Sequence, residues 1–172
     1  MFRTVACCPL VMFCVAFAIG QTMHPDLSGT WQIDVARSTE DIAPLPSDPD
    51  TRPPPPPPGM AWKAFSPEIL THREPELRIQ VGSTKDALQF STDGRENVNA
   101  RANGRVPKSI SRWEGDTLVT RWRLEQDGSA FIEGSDVRMI AQGGEVLIDD
   151  RTIRTPWAEA KYHIVWVRKP YL

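Results

Sequence analysis

Apolar and polar residues alternate in short runs through most of this chain. Leu77-Arg78-Ile79-Gln80-Val81 alternates strictly, and Leu88-Gln89-Phe90-Ser91-Thr92 does so again. Such a period of two places one set of side chains on each face of a strand. Comparable runs cover 27–35, 68–74, 105–113, 117–124, 131–140, 146–154 and 160–169. Turn residues separate them: Pro75, Asp93-Gly94, Glu114-Gly115-Asp116, Asp127-Gly128, Gly143-Gly144 and Pro156. Asp-Gly and Gly-Gly between alternating runs signal hairpins, because these turns need positive φ. No 12-residue helical pattern interrupts the series. The pattern predicts an all-β domain, an antiparallel up-and-down meander of about 8–10 strands closing into a barrel, since closure removes exposed edges. The Asn-rich stretch 96–104 reads as a polar loop.

Alternation also assigns faces. In 117–124, Leu118, Thr120, Trp122 and Leu124 share the more apolar face and are expected inside. In the last run, Tyr162, Ile164, Trp166 and Arg168 share the aromatic face. In 105–113, Arg112 lies with Val106, Lys108 and Ile110, and in 146–154, Asp150 lies with Val146 and Ile148. Arg112, Thr120, Trp122, Asp150 and Tyr162 are therefore the candidate lining of a cavity. Two readings stand side by side: an internal Arg–Asp pair that satisfies itself, or a polar-lined pocket in which Arg112 meets an anionic ligand group.

One segment breaks the pattern. Residues 37–59 carry nine of the sixteen prolines, six of them consecutive from Pro53 to Pro58. Proline removes backbone donors, so this is expected to be a loop, its six-proline run in polyproline II conformation. The run either crosses one end of the domain or docks into an aromatic groove on a protein partner.

The N-terminus adds a destination. Residues 5–19 are apolar apart from Pro9, preceded by Arg3 and followed by Ala18-Ile19-Gly20. This reads as a secretory signal over 1–20, too short for a membrane span. The mature chain would have a tail at 21–26 and one domain at 27–172, and would be exported to a periplasmic or extracellular location. Cys7, Cys8 and Cys14 all fall in the signal, so the exported domain would hold together without disulfides. Without Arg3, 19 basic residues face 22 acidic ones. That balance offers no footprint for nucleic acid, and no second apolar run is long enough to span a bilayer.

Gly29-Thr30-Trp31 at the first strand resembles the Gly-x-Trp signature of lipocalins and the wider calycin barrels. The resemblance implies that Trp31 sits at the closed end of a barrel with a basic residue of the last strand, Arg168, packed across it. The chain also resembles a group of small exported bacterial proteins of unassigned function. Their pattern is matched by Asp26 to Trp31, by Thr92-Asp93-Gly94-Arg95-Glu96 and by Trp113-Glu114-Gly115-Asp116-Thr117-Leu118-Val119. It implies a lipocalin-like fold and no catalytic residues. The lipocalin disulfide is absent, and no clear helix precedes the final strand.

Other chemistry finds little support. His24, His72 and His163 show no metal-ligand spacing, with His24 in the expected tail. There is no Gly-x-Ser-x-Gly elbow and no phosphate-cradling glycine loop. No metal or cofactor is expected. The leading expectation is an exported lipocalin-like binding protein for a small apolar or amphipathic ligand. The alternatives are an envelope scaffold presenting Pro53–Pro58 to a partner, and an enzyme of cyclase or isomerase type using the barrel cavity.

Overall fold

A computed structural model describes residues 24–45, 67–82, 87–99, 106–126 and 129–170. The expected signal segment and the Pro53–Pro58 run lie outside these residues. The described strands are β1 (Gly29–Ile33), β2 (Thr39–Pro44), β3 (Glu68–Arg73), β4 (Glu76–Val81), β5 (Ala87–Ser91) and β6 (Asp93–Val98). They continue with β7 (Val106–Glu114), β8 (Thr117–Gln126), β9 (Ser129–Ala141), β10 (Val146–Arg154) and β11 (Ala158–Arg168). A single 3-10 turn at Gln142–Gly144 joins β9 to β10. Among the described residues no helix is long and apolar enough to cross a membrane.

The strands form one antiparallel sheet in the order β5-β4-β3-β1-β11-β10-β9-β8-β7-β6, curled into a nearly closed barrel. β2 shares the place of β1 beside β11. β1 pairs with β11 at Trp31–Arg168, and β2 pairs with it from Thr39–His163 to Pro44–Ala158. The turn between them is clamped to Val165: Asp34 N–H donates to the Val165 carbonyl (2.7 Å), and Val165 N–H donates to Ser38 Oγ (2.9 Å).

Two segments differ from the sequence expectation. Thr39–Pro44 is a strand within the stretch expected to be loop. Pro44 stands at its end, and β2 has a ladder partner on one side only, where a missing N–H is tolerated. Asp93–Val98 is also a strand, so the turn falls at Thr92, and a register irregularity between Asp93 and Glu96 absorbs Gly94.

The apolar core gathers at one end. Trp31, Trp166, Leu118, Leu147 and Ile164 are fully buried there, and Leu27 packs on them from the segment that precedes β1. The β3–β4, β7–β8 and β9–β10 hairpins and the β5–β6 connection turn at this end, closing it. β4, β6, β8 and β10 run toward the opposite end.

The closed end explains Gly29-Thr30-Trp31. Trp31 Nε1 donates to the Leu27 carbonyl (3.0 Å). The Arg168 guanidinium carbon lies 4.4 Å from the centre of the Trp31 ring, within cation–π range. Arg168 is fixed there, donating to the carbonyls of Gly144 (2.7 Å from Nε) and Ser28. A Cβ on Gly29 would stand 2.5 Å from Arg168 Nη1, and its φ of 153° is one that side-chain-bearing residues rarely adopt. Glycine is therefore required by the close approach of the arginine that covers the tryptophan.

Candidate binding site in the barrel interior

The register of the ladders divides the interior into belts. Trp166, Leu147 and Ile140 stand opposite one another on β11, β10 and β9, next to Trp31, and form the floor. Above them Ile164, Asp149, Arg138, Leu118 and Trp113 line up across β11 to β7. The next belt is Tyr162, Arg151, Asp136, Thr120 and Ser111. A further belt carries Ala160, Ile153, Gly134, Trp122, Ser109 and Asn97.

The middle belts hold charge. Asp136-x-Arg138 on β9 and Asp149-x-Arg151 on β10 run antiparallel, so Arg138 faces Asp149 and Asp136 faces Arg151. The result is a square of alternating sign, with all four residues buried. Arg151 Nη2 lies 2.6 Å from Asp149 Oδ2, and its Nε lies 2.8 Å from Asp136 Oδ1. Arg138 Nη2 lies 3.2 Å from Asp149 Oδ2 and 3.6 Å from Asp136 Oδ2. Glu68, from the first position of β3, brings a third buried carboxylate to 3.6 Å from Arg151 Nη2.

Burying five ionisable groups is costly unless they pair. Burial opposes the charge on both guanidiniums, but the carboxylates of Asp136, Asp149 and Glu68 outweigh it and raise the pKa of Arg138 and Arg151. Glu68 moves the other way from a pairing acid. Burial raises its pKa against the attraction of Arg138 and Arg151, and repulsion from Asp149 and Asp136 adds to the rise. The square itself sets two cations against two anions, and Glu68 adds a third carboxyl group beside it. Several polar atoms stay without a hydrogen-bond partner among the described residues, namely Nε and Nη1 of Arg138, Oδ1 of Asp149 and Oε2 of Glu68.

Three of the five expected lining residues do point inward. Thr120 is buried and donates to Ser111 Oγ (2.9 Å). Tyr162 is buried beside Arg151, and burial, followed by the nearby Glu40, raises its phenol pKa. Trp122 is half-buried, and its ring packs on Gly134, where a Cβ would stand 2.5 Å from the ring. Arg112 and Asp150 are corrections: both point outward. Arg112 has a 58% exposed side chain and donates from Nε and Nη2 to Glu114 Oε1 (2.9 and 2.7 Å). Asp150 has a 59% exposed side chain, 2.7 Å from His163 Nδ1. In β7 and β10 the outer face carries Ile110, Val146 and Ile148, while the inner face carries Ser109, Ser111, Asp149 and Arg151. The rule that the more apolar face is buried therefore chose the wrong parity. The paired triplets Asp136-x-Arg138 and Asp149-x-Arg151, on consecutive strands, are the signal that identifies the inner face.

Around and above the charged square, the inward residues are mostly apolar and half-buried. Val81 comes from β4, Leu88 and Phe90 from β5, Trp122 and Leu124 from β8, and Ile153 from β10. Val81, Phe90 and Ile153 pack against the buried core, while Trp122 and Leu124 lie farther from the floor.

A second polar set lies at the closed end. The Glu74 carboxylate accepts from Thr92 Oγ1 and Trp113 Nε1, and its Oε1 lies 3.0 Å from His72 Nε2. Burial works against its charge, but these hydrogen bonds and the nearby His72 outweigh it and lower the Glu74 pKa. The Leu27 N–H donates to His72 Nδ1 (3.3 Å). His24, expected in a loose tail, stacks on Trp113 with ring centres 4.7 Å apart. These contacts strap the segment before β1 across the barrel floor. No group of three or more metal-ligating side chains occurs among the described residues.

No protein-family model matches the chain, and no curated protein matches it. Among solved structures, one named "REP1-NXSQ fatty acid transporter" is similar at 10% sequence identity, over 85% of this chain and 98% of that one, with a TM-score of 0.48. The fold assignment rests on the ladder order and register of the chain itself.

Proposed function

We propose that this chain is an exported binding protein that holds one small amphipathic molecule in the upper half of its barrel. The supporting observation is the layering of the interior. The floor is filled by Trp31, Trp166 and Leu147, and the middle is occupied by the charged square. Half-buried inward residues remain above them. The apolar part of a ligand would lie against Leu88, Val81, Leu124 and Trp122. Its polar part would approach Tyr162, which keeps some accessible surface, whereas Thr120 and Ser111 are fully buried and bonded to each other. Cavities of this kind bind through apolar walls and a few placed polar groups. Export is supported by the apolar N-terminal segment with its small-residue end.

Titration with 8-anilinonaphthalene-1-sulfonate, an amphipathic fluorescent anion, tests the site. Saturable one-to-one binding is expected, weakened about tenfold or more in Trp122→Ala, which removes an aromatic wall residue. Binding that leaves Trp122→Ala unaffected would place the probe elsewhere.

A further inference from the structure

The barrel ladder is continuous from β6 round to β5 and then stops. β5 and β6 follow one another in the chain, yet they form no ladder among the described residues. A side chain bridges them instead. Asn99 Oδ1 accepts from the Gln89 N–H (2.9 Å), and Asn99 Nδ2 donates to the Gln89 carbonyl (2.9 Å). One carboxamide thus satisfies both backbone groups of Gln89 in the manner of a neighbouring strand.

A concavity of about 690 Å³ lies over this seam. Its lining comes from both faces of the sheet. Phe90 belongs to the inward set, whereas Arg73, Arg78 and Ser91 belong to the outer face. Arg73 and Arg78 are exposed and make no ion pair within 4 Å with another described residue. The lining also holds Arg95, engaged by Asp93 at 2.8 Å, Glu96, engaged by Arg123 at 3.0 Å, and Glu76, opposite Arg73 in the β3–β4 ladder, so three guanidiniums face two carboxylates there. Unpaired guanidiniums on the outside and an aromatic ring leading inward are complementary to an anionic head with an apolar tail.

We propose that the β5/β6 seam is a side entrance to the barrel for amphipathic anions. Arg73 and Arg78 capture the anionic head, Phe90 receives the apolar tail, and the Asn99 carboxamide is the latch that opens to let it in. This rests on the binding reading above and adds the route and the charge of the ligand.

The test follows the same anilinonaphthalene sulfonate by stopped flow, on the full chain after signal removal, together with amide hydrogen exchange. Asn99→Ala and Asn99→Asp each remove the Nδ2 donor, and the second keeps the side-chain size. Both are expected to speed Gln89 amide exchange and to raise the association rate about tenfold, the factor that loss of hydrogen bonds of this strength gives. Arg73→Gln combined with Arg78→Gln is expected to slow association and to flatten its dependence on salt, with exchange at Gln89 unchanged. Probe binding whose rates and salt dependence are unaltered in all these variants would overturn the side entrance and leave the binding reading intact. Absence of probe binding by the unsubstituted chain would overturn both.

Discussion

At the scale of single residues, Gly29, Trp31 and Arg168 form one device. The tryptophan is fully buried, the arginine covers it, and the glycine leaves space for the arginine. Trp31→Ala is expected to cost about 3–5 kcal/mol, as for other large side chains removed from a packed core, measured by denaturant unfolding. Gly29→Ala should cost about 1–3 kcal/mol, because it forces a side chain into a glycine conformation and against a tethered guanidinium. This contact was legible in the sequence because Gly29-Thr30-Trp31 resembles a known barrel signature, which implies a basic residue of the last strand across the tryptophan. Arg112 and Asp150 were misplaced because parity was inferred from apolarity on strands whose inner faces mix polar residues with Trp113, Leu147 and Ile153.

Glu68 belongs to the same scale and makes a pH prediction. Its folded-state pKa lies above the ordinary glutamate value because of burial. The unfolded chain gives up this proton more readily, so stability is greatest below the ordinary pKa. It falls as pH rises through the window up to the raised value. Glu68→Gln should remove that fall, seen as a flatter profile of unfolding free energy against pH. Glu74 acts with the opposite sign. Its lowered pKa contributes stability above the ordinary glutamate value that is lost as pH drops below it.

At the scale of elements, the β9–β10 hairpin sets the character of the interior. Two Asp-x-Arg triplets with one parity interlock only in the observed register, with Arg138 opposite Asp149 and Asp136 opposite Arg151. A slip of β10 by one residue would carry Asp149 and Arg151 to the outer face and leave Asp136 and Arg138 without them inside. Arg138→Ala is expected to destabilise the domain by about 3–5 kcal/mol, because it leaves buried carboxylate charge uncompensated. Replacing the facing pair together, Arg138→Met with Asp149→Leu, should recover most of that loss, as apolar replacements of buried ion pairs often do. A double variant as unstable as the single one would show that the square contributes more than mutual neutralisation. Most strands were legible from alternation and turns. β2 was not, because prolines mask a six-residue pairing that depends on β11, 114 or more residues away in sequence. β6 was not, because its polar residues lie on an edge strand and carry no apolar period.

At the scale of the whole molecule, the barrel is closed and strapped at one end, with a charged belt next to the apolar floor. The strap is the His24–Ser28 segment, held by Trp113, His72 and the Trp31–Leu27 hydrogen bond. Under the proposed binding function, a filled lower half would restrict a ligand to the upper half and make an elongated molecule buried along the full axis a poor fit. The barrel itself was legible from hairpin spacing. Its interior was not, because a charged belt and an apolar interior are both compatible with the same strand count.

The most direct test of the central claim is native mass spectrometry of the protein recovered from its own cells. The account predicts a co-purifying small molecule at one per chain, retained by the unsubstituted protein and lost from Trp122→Ala. A bare chain mass in both proteins, with no amphipathic compound binding on addition, would contradict it.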